Sequence, residues 1–207
     1  MAAPHRQDAV KTAKKINHVV YNCKKYEHFN VMYTNADSLK NKIHELEVRV
    51  RDKDPMIIGI TEVKPKNCKY DMNESEYTLD DSGNYNIFSK NLNNKSSRGL
   101  VMYVKNNLKA MEIEIPICFN ENLFLEIAIN SKEKLLIGLV YRSDSGSDSN
   151  NDNLNELITH ACTMKYSRLL IMGDFNMPLI DWENWHTPGC STHTKEFKFV
   201  QCFQDFS

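Results

Sequence analysis

Residue types that bind metal ions and phosphate follow several apolar segments of this sequence. Such a residue or pair comes directly after each of four segments predicted to be buried strands, and the set is Asn35, Glu62, Tyr141 with Arg142, and Asp174 with Asn176. In open α/β sheets ligands bind outside the carboxyl ends of the strands, so residues distant in sequence can meet in one pocket. Carboxylate and amide oxygens suit a hard divalent cation, and a guanidinium suits a phosphate. The sequence therefore predicts metal-assisted phosphate chemistry at strand ends.

The Asp-Phe-Asn segment at 174–176 places two polar side chains on one side of an extended chain and the aromatic ring on the other. This arrangement suits a pair of residues that hold a water molecule and a phosphate together. The alternative is a simple strand-to-loop turn, which Gly173 and Asn176 also favour. Asn35 likewise fits either a metal site or a turn.

A strand, a helix and a second strand are predicted around Asn35 and Glu62. The apolar runs 29–34 and 56–60 suit buried strands. Between them, apolar residues recur at helical spacing on one face, at Leu39, Ile43, Leu46 and Val50. Asp37 or Ser38 is placed to cap this helix and Pro55 to end it. The sequence therefore predicts a parallel βαβ unit.

The remaining sequence is rich in predicted strands. These lie at about 85–89, 99–104, 111–117, 123–129, 134–141 and 168–172, and a helix is predicted over about 153–165. Residues 64–84 are predicted to be a surface loop and residues 143–153 a flexible low-complexity loop. Strands mixed with flanking helices indicate an α/β protein.

Composition narrows the class of protein without identifying a partner. The 207 residues, 41% hydrophobic and 26% charged, suit one globular domain, and a net charge of −1 does not indicate a nucleic-acid partner. Residues 1–28 are locally basic and are predicted to be a loosely ordered leader, either a solvated tail or a DNA-contacting arm. No signal peptide or membrane-spanning segment is evident, so we expect an intracellular protein without a membrane partner.

Five sequence motifs occur in an order that resembles a known superfamily. They are Asn-Ala-Asp-Ser-Leu-Lys-Asn-Lys from Asn35, Ile-Ile-Gly-Ile-Thr-Glu ending at Glu62, Arg-Gly-Leu-Val-Met-Tyr-Val from Arg98, Leu-Val-Tyr-Arg ending at Arg142, and Met-Gly-Asp-Phe-Asn-Met-Pro-Leu-Ile-Asp-Trp from Met172. Together they resemble the endonuclease/exonuclease/phosphatase superfamily. Within it they are most similar to the apurinic-endonuclease-like domain that precedes the reverse transcriptase of non-LTR (LINE-type) retrotransposons. The resemblance covers 29–207 and implies a four-layered α/β sandwich, two packed β-sheets flanked by helices, incomplete at the C-terminus.

The resemblance implies a role for each strand-end residue. Glu62, helped by Asn35, would hold Mg²⁺, with Mn²⁺ as a possible substitute. Asp174 would orient or deprotonate the attacking water. Asn176 and Tyr141 would contact the scissile phosphate, and Arg142 adds a charged fork suited to the same phosphate.

The reaction that the resemblance implies is hydrolysis of a DNA phosphodiester, here the nicking of a target site. The implied partners are DNA and, in the full-length protein, a downstream reverse transcriptase domain. A chromosomal substrate would place the protein in the nucleus.

One part of the family pattern is missing from this sequence. No Ser-Asp-His motif occurs, and only 31 residues follow Asn176. His186 and His193 lie in a loop-like stretch and are not expected to replace the missing histidine. We therefore expect a partial domain of low stability and impaired activity. A non-catalytic remnant of the same domain, or a superfamily phosphatase acting on phospholipid or inositol phosphate, remains the alternative.

Overall fold

The computed structural model describes residues 18–23, 26–79, 83–144 and 146–205. The chain divides into two compact units, Met1–Asn107 (unit 1) and Leu108–Ser207 (unit 2). The single domain that the sequence predicted over 29–207 stays a prediction.

Unit 1 contains a five-stranded mixed sheet in the order β1-β2-β3-β5-β4. The strands are β1 (His18–Cys23), β2 (Tyr26–Asn35), β3 (Ile57–Thr61), β4 (Tyr85–Lys90) and β5 (Leu100–Lys105). Only β2 and β3 pair in parallel, and helix α1 (Ile43–Lys53) connects them. The predicted βαβ unit is therefore confirmed.

The sheet of unit 1 begins before Phe29, where the sequence predicted order to begin. Strand β1 and the start of β2 lie within the segment predicted to be a loosely ordered leader, and β1 pairs antiparallel with β2. The rest of that leader, residues 1–17 together with 24 and 25, lies outside the described residues.

Helix α1 begins differently from the prediction. A 3-10 turn over Lys40–Lys42 leads into it, and no side chain caps either element. Asp37 and Ser38 have positive φ angles of 42° and 76°, so they form a turn that precedes the helix by several residues. The predicted cap was therefore wrong. Asp54, in the left-handed conformation, ends the helix by donating its backbone N–H to the Val50 carbonyl oxygen.

Residues 64–79 are not the surface loop that the sequence predicted. Cys68, Met72, Tyr77 and Leu79 are buried in the hydrophobic core of unit 1. Tyr103 of β5 donates its hydroxyl hydrogen to the Tyr77 carbonyl oxygen at 2.6 Å. An irregular segment can supply core residues without helical or strand periodicity, and for this reason the pattern failed here.

Unit 2 contains a four-stranded sheet in the order β6-β7-β8-β9. The strands are β6 (Lys109–Ile113), β7 (Asn122–Ala128), β8 (Lys134–Tyr141) and β9 (Arg168–Asp174). Again only one pair, β8 and β9, is parallel, and helix α2 (Asp148–Thr163) connects the two. Helix α3 (Lys195–Gln204) packs on the same core.

Helix α2 begins within the segment predicted to be a flexible loop. Ser147 caps it by accepting a hydrogen bond from the Asn150 backbone N–H at 3.2 Å. The first turn of this helix therefore consists of Ser, Asp and Asn residues. These residue types have modest helix propensity, and for this reason the sequence predicted a loop there. With both sheets mixed and flanked by helices, the predicted α/β class is confirmed. None of the described helices is both long and apolar enough to span a bilayer.

Candidate functional site

The predicted site residues lie at equivalent places in the two units. In unit 1, Asn35 at the end of β2 pairs with Thr61 at the end of β3, and Glu62 follows directly. In unit 2, Tyr141 at the end of β8 pairs with Asp174 at the end of β9. Each set therefore occupies the carboxyl end of the parallel strand pair of its own sheet, where ligands bind in open α/β sheets.

In unit 1, backbone hydrogen bonds join the segment after β2 to the segment after β3. Ala36 donates its backbone N–H to the Thr61 carbonyl oxygen at 3.0 Å, and Ser38 donates to the Glu62 carbonyl oxygen at 2.8 Å. Glu62 has a φ angle of 53°, a conformation that non-glycine residues rarely adopt. Its side chain is 14% exposed. The structure thus brings Asn35 and Glu62 to neighbouring loops of one sheet edge.

Arg98 is a residue of this edge to which the sequence analysis assigned no role. Its Nη1 lies 2.8 Å from Oε2 of Glu62, and its Nη2 lies 2.7 Å from Oδ1 of Asp37. Its Nε donates to the Lys64 carbonyl oxygen at 3.0 Å. The hydrogen bond from Arg98 holds the pKa of Asp37 below its ordinary value. Arg98 is the first residue of the Arg-Gly-Leu-Val-Met-Tyr-Val motif, but its spacing in the sequence does not indicate which carboxylates it contacts.

The oxygen-rich edge of unit 1 fits a hard divalent cation. Glu62 and Asp37 offer carboxylate oxygens, and Oδ1 of Asn35 accepts the backbone N–H of Asp37 at 3.1 Å. Among the described residues, no group of three or more His, Cys, Asp and Glu side chains is placed to hold a metal ion. Mg²⁺ does not require such a cage, because it keeps several waters and needs only one or two carboxylates.

In unit 2, the end of β9 approaches β8 unusually closely. A Cβ atom on Gly173 would lie 1.8 Å from the Val140 carbonyl oxygen, so only glycine fits there. Tyr141 is 7% exposed, and its backbone N–H donates to the Glu121 carbonyl oxygen at 3.0 Å. The close backbone approach places Asp174, which is partly buried, beside Tyr141 in the strand register.

Asn176 and Arg142 join the two strand ends of unit 2. Arg142 donates its backbone N–H to the Asp174 carbonyl oxygen at 2.8 Å, and Nδ2 of Asn176 donates to the Arg142 carbonyl oxygen at 2.6 Å. The backbone N–H of Asn176 donates to Oδ1 of Asp174 at 3.2 Å. The structure therefore brings together four residues that the sequence predicted for phosphate and water: Tyr141, Arg142, Asp174 and Asn176.

The side chain of Arg142 is not presented as the sequence led us to expect. The prediction was direct contact between its guanidinium and a phosphate, but the residue is only 1% exposed. Its Nε donates to Oδ1 of Asn151 at 2.7 Å, and its Nη1 donates to the Asn176 carbonyl oxygen at 3.1 Å. These contacts favour a role in which the Arg142 guanidinium supports neighbouring segments of the protein and does not itself contact a ligand.

The loop histidines have local surroundings. His186 is half exposed, and its Nδ1 lies 3.5 Å from Oδ2 of Asp181, with which it also shares a short backbone pairing. His193 is exposed. Neither residue contacts the Tyr141 and Asp174 strand ends among the described hydrogen bonds and ion pairs of unit 2.

No family model matches the chain, and no curated protein matches it by sequence. Solved structures do match. The endonuclease domain of TRAS1, a telomere-specific non-LTR retrotransposon, aligns with a TM-score of 0.58 and 13% identity over 85% of this chain and 69% of its own. The AP endonuclease LMAP from Leishmania major aligns with a TM-score of 0.59 and 12% identity over 98% and 78%.

A third structure extends the range of activities among these neighbours. The 3′ phosphatase NExo from Neisseria, bound to a product DNA hairpin, aligns with a TM-score of 0.55 and 16% identity over 86% of this chain and 70% of its own. Identities this low show the fold alone. Taken with the two mixed sheets and the motif order, they show that the chain has the fold of the endonuclease/exonuclease/phosphatase superfamily.

Proposed function

We propose that this chain is a metal-dependent phosphodiester hydrolase domain that nicks DNA and derives from a non-LTR retrotransposon. One observation carries the proposal. The polar residues predicted from sequence occupy the carboxyl ends of the parallel strand pair in each unit, Asn35 with Thr61 and Tyr141 with Asp174. That is where a sheet of this kind binds its ligand.

The proposal assigns the metal to unit 1. Glu62 supplies a carboxylate and Asn35 an amide oxygen, both suited to Mg²⁺ or Mn²⁺. A divalent cation of this kind can stabilise negative charge that develops on a phosphate. The guanidinium of Arg98 holds Oε2 of Glu62 at 2.8 Å, so it fixes the direction of this carboxylate and also competes with a cation for it.

The proposal assigns water and phosphate to unit 2. The Asp174 carboxylate takes the proton of the attacking water, as a general base does. Asn176 donates an amide hydrogen to a phosphate oxygen, and the Tyr141 hydroxyl donates another. The buried charge of Arg142 lies beneath this loop and favours an anion above it.

Three features of the neighbours support DNA as the substrate. The TRAS1 domain is named as an endonuclease of a retrotransposon, LMAP as an AP endonuclease, and NExo was solved with DNA. By extension we propose a reverse transcriptase domain as the partner in the full-length protein and the nucleus as the place of action.

Metal binding tests the proposal without requiring turnover. Mn²⁺ binding to the purified chain is measured by electron paramagnetic resonance, for the wild type, Glu62→Gln and the control Glu45→Gln. Glu45 lies on the exposed face of α1, and its side chain is 60% exposed. We expect the wild type and the control to hold one Mn²⁺ ion and Glu62→Gln to lose it. Equal binding by Glu62→Gln would remove the basis of the metal assignment.

Substrate assays then separate the three candidate functions. Supercoiled plasmid, an inositol polyphosphate and a phosphoinositide vesicle are each incubated with the chain and Mg²⁺. Nicked circles with a 3′-hydroxyl support the endonuclease. Phosphate release without nicking supports the phosphatase. Metal binding without either reaction supports the non-catalytic remnant.

A further inference from the structure

Arg142 is a buried cation that contacts the loop following β9. Its side chain is 1% exposed, and it is among the largest fully buried side chains of the described residues. Its guanidinium donates to the carbonyl oxygen of Asn176 at 3.1 Å and, at 3.5 Å, to that of Phe175. The group therefore lies against the backbone of the segment that bears the proposed water and phosphate residues.

Arg142 and Asn176 each donate a hydrogen bond to the other. Nδ2 of Asn176 donates to the carbonyl oxygen of Arg142 at 2.6 Å, while the backbone N–H of Arg142 donates to the carbonyl oxygen of Asp174 at 2.8 Å. The φ angle of Asn176 is 49°. Asparagine adopts this left-handed conformation more readily than most residues with a side chain. The hydrogen bonds with Arg142, together with that from the Asn176 backbone N–H to Oδ1 of Asp174, hold the segment in it.

Helix α2 holds the other side of the guanidinium. Nε of Arg142 donates to Oδ1 of Asn151 at 2.7 Å, and Asn151 is itself buried at 6% exposure. These hydrogen bonds run to carbonyl and amide oxygens, which do not neutralise the charge. A buried guanidinium leaves water at considerable cost, and well-placed acceptors are needed to offset it. Asn151 therefore fixes where the guanidinium points.

We propose that Arg142 is a positioning residue, oriented by Asn151, that holds Asn176 and the backbone of Asp174 in the geometry that binds a phosphodiester. Arg142 acts through the loop and does not contact the substrate. The inference rests on the proposed function, because that function gives Asp174 and Asn176 their roles. It adds Asn151, a residue of α2 that neither motif nor spacing indicated.

The two tryptophans of the chain can report on this loop. The ring of Phe175 packs against Trp182, with ring centroids 6.0 Å apart, and against Phe199 at 5.0 Å. Trp182 packs edge-on against Trp185 at 5.8 Å. The chain has no other tryptophan. A loop that loses its support moves Phe175 and thereby changes the exposure of Trp182 to a soluble quencher.

The experiment compares Arg142→Lys, Arg142→Gln and Asn151→Ala with the wild type. The control is Arg168→Gln, because Arg168 is a partly exposed arginine of the same unit, 42% exposed, paired with Glu133 at 3.6 Å. Four quantities are measured on each variant. They are the unfolding temperature by circular dichroism, the acrylamide quenching of tryptophan fluorescence, the position of the Asn176 amide cross-peak by NMR, and the affinity for the dinucleotide TpT in the presence of Mg²⁺.

We expect folded Asn151→Ala to show stronger quenching, a displaced or broadened Asn176 cross-peak, and TpT affinity reduced on the order of tenfold. Arg142→Lys, which keeps the charge but offers its N–H donors from a single nitrogen, should fall between the wild type and Arg142→Gln. Arg168→Gln should match the wild type. If Arg142→Gln fails to fold, Asn151→Ala still decides, since it leaves the guanidinium in place and removes only its anchor.

Two results would overturn the inference. One is a folded Asn151→Ala with wild-type quenching and a wild-type Asn176 cross-peak. The other is a displaced loop with unchanged TpT affinity. A wild-type chain that does not bind TpT at all would instead refute the phosphate assignment, while the ligand-free loop measurements would still show whether Arg142 holds the loop.

Discussion

The two units use an arginine at the same kind of place in opposite electrostatic surroundings. Arg98 of unit 1 pairs with the carboxylates of Glu62 and Asp37, and its side chain is 18% exposed. Arg142 of unit 2 is 1% exposed and bonds an amide and two backbone carbonyls. Each arginine joins the two strand ends of a parallel pair, but only Arg98 does so by neutralising acids.

The different partners of Arg98 and Arg142 suit the different roles proposed for the strand ends of the two units. In unit 1 the positive charge already has anionic partners, so a metal ion that binds Glu62 must compete with a resident cation. In unit 2 the described hydrogen bonds of the Arg142 guanidinium run to neutral acceptors, the Asn151 amide and the carbonyl oxygens of Phe175 and Asn176. The proposed metal site and the proposed phosphate site therefore contain the same residue type with different partners.

The largest expected effect is on the backbone of unit 2. Gly173→Ala places a Cβ atom 1.8 Å from the Val140 carbonyl oxygen, a backbone atom that cannot yield without parting β8 from β9. We expect a loss of about 3 kcal/mol or more in the free energy of unfolding, measured by urea titration.

Gly189→Ala is the matched control, because Gly189 also has a positive φ, 70°, but nothing lies within 4 Å of the new Cβ atom. Only the conformational strain remains, about 1 kcal/mol. Equal losses from the two substitutions would show that the approach of β9 to β8 is not tight.

The two arginines should differ in the same assay. Arg142→Ala leaves Oδ1 of buried Asn151 and the carbonyl oxygen of partly buried Asn176 without this donor, so we expect a loss of about 3 kcal/mol in the free energy of unfolding. Arg98→Ala breaks one ion pair to Asp37, whose side chain is 76% exposed, and one to Glu62, whose side chain is 14% exposed, and should cost less, about 1–2 kcal/mol. A loss from Arg98→Ala as large as that from Arg142→Ala would contradict the contrast drawn between the edges.

Periodicity was sufficient to predict the elements that position the site. Strands β3, β8 and β9 are continuous apolar runs followed by a polar residue, and each was predicted within a few residues of its observed bounds. The parallel pairing of β2 with β3 was predicted, because α1 lies between them, whereas the parallel pairing of β8 with β9 was not predicted. The strand-end residues could therefore be named from sequence.

Contacts between distant segments could not be predicted in this way. Nothing in the spacing between Arg98 and Asp37, 61 positions apart, indicates that they pair. The positive φ angle of Glu62 is likewise not indicated by its residue type, whereas asparagine, as at Asn176, adopts this conformation more readily. The buried side chain of Arg142 donates a hydrogen bond to Asn151, which occurs in a polar stretch that was predicted to be a loop. Each of these features could be identified only from the folded structure.

Metal affinity provides a sharper comparison of the two arginines. Replacing Arg98 with glutamine removes a positive charge that lies 2.8 Å from Glu62. Without the guanidinium, less electrostatic repulsion acts on a cation at these carboxylates, so Mn²⁺ should bind roughly three- to tenfold more tightly. Weaker binding would show that Arg98 is needed to orient Glu62 more than it competes. Arg142→Gln, in the other unit, should leave the same affinity unchanged.

The smallest expected effect is the acid titration of Asp37. The hydrogen bond from Arg98 lowers the pKa of this carboxyl, so its pairing stabilises the fold above the ordinary pKa and is lost as pH falls through the folded value. That window lies below about pH 4. In Arg98→Gln the Asp37 pKa should rise toward its ordinary value, as followed by the ¹³C shift of the carboxyl carbon in buffer with EDTA.

Glu126 of unit 2 is the internal reference for this titration. A hydrogen bond from Lys134 lowers its pKa, and Arg98 does not contribute to that shift. Its titration curve should therefore be the same in Arg98→Gln and the wild type. If the Asp37 pKa does not move, or if Asp37 and Glu126 move together, the Arg98 contact is not what holds the Asp37 carboxylate in its charged form.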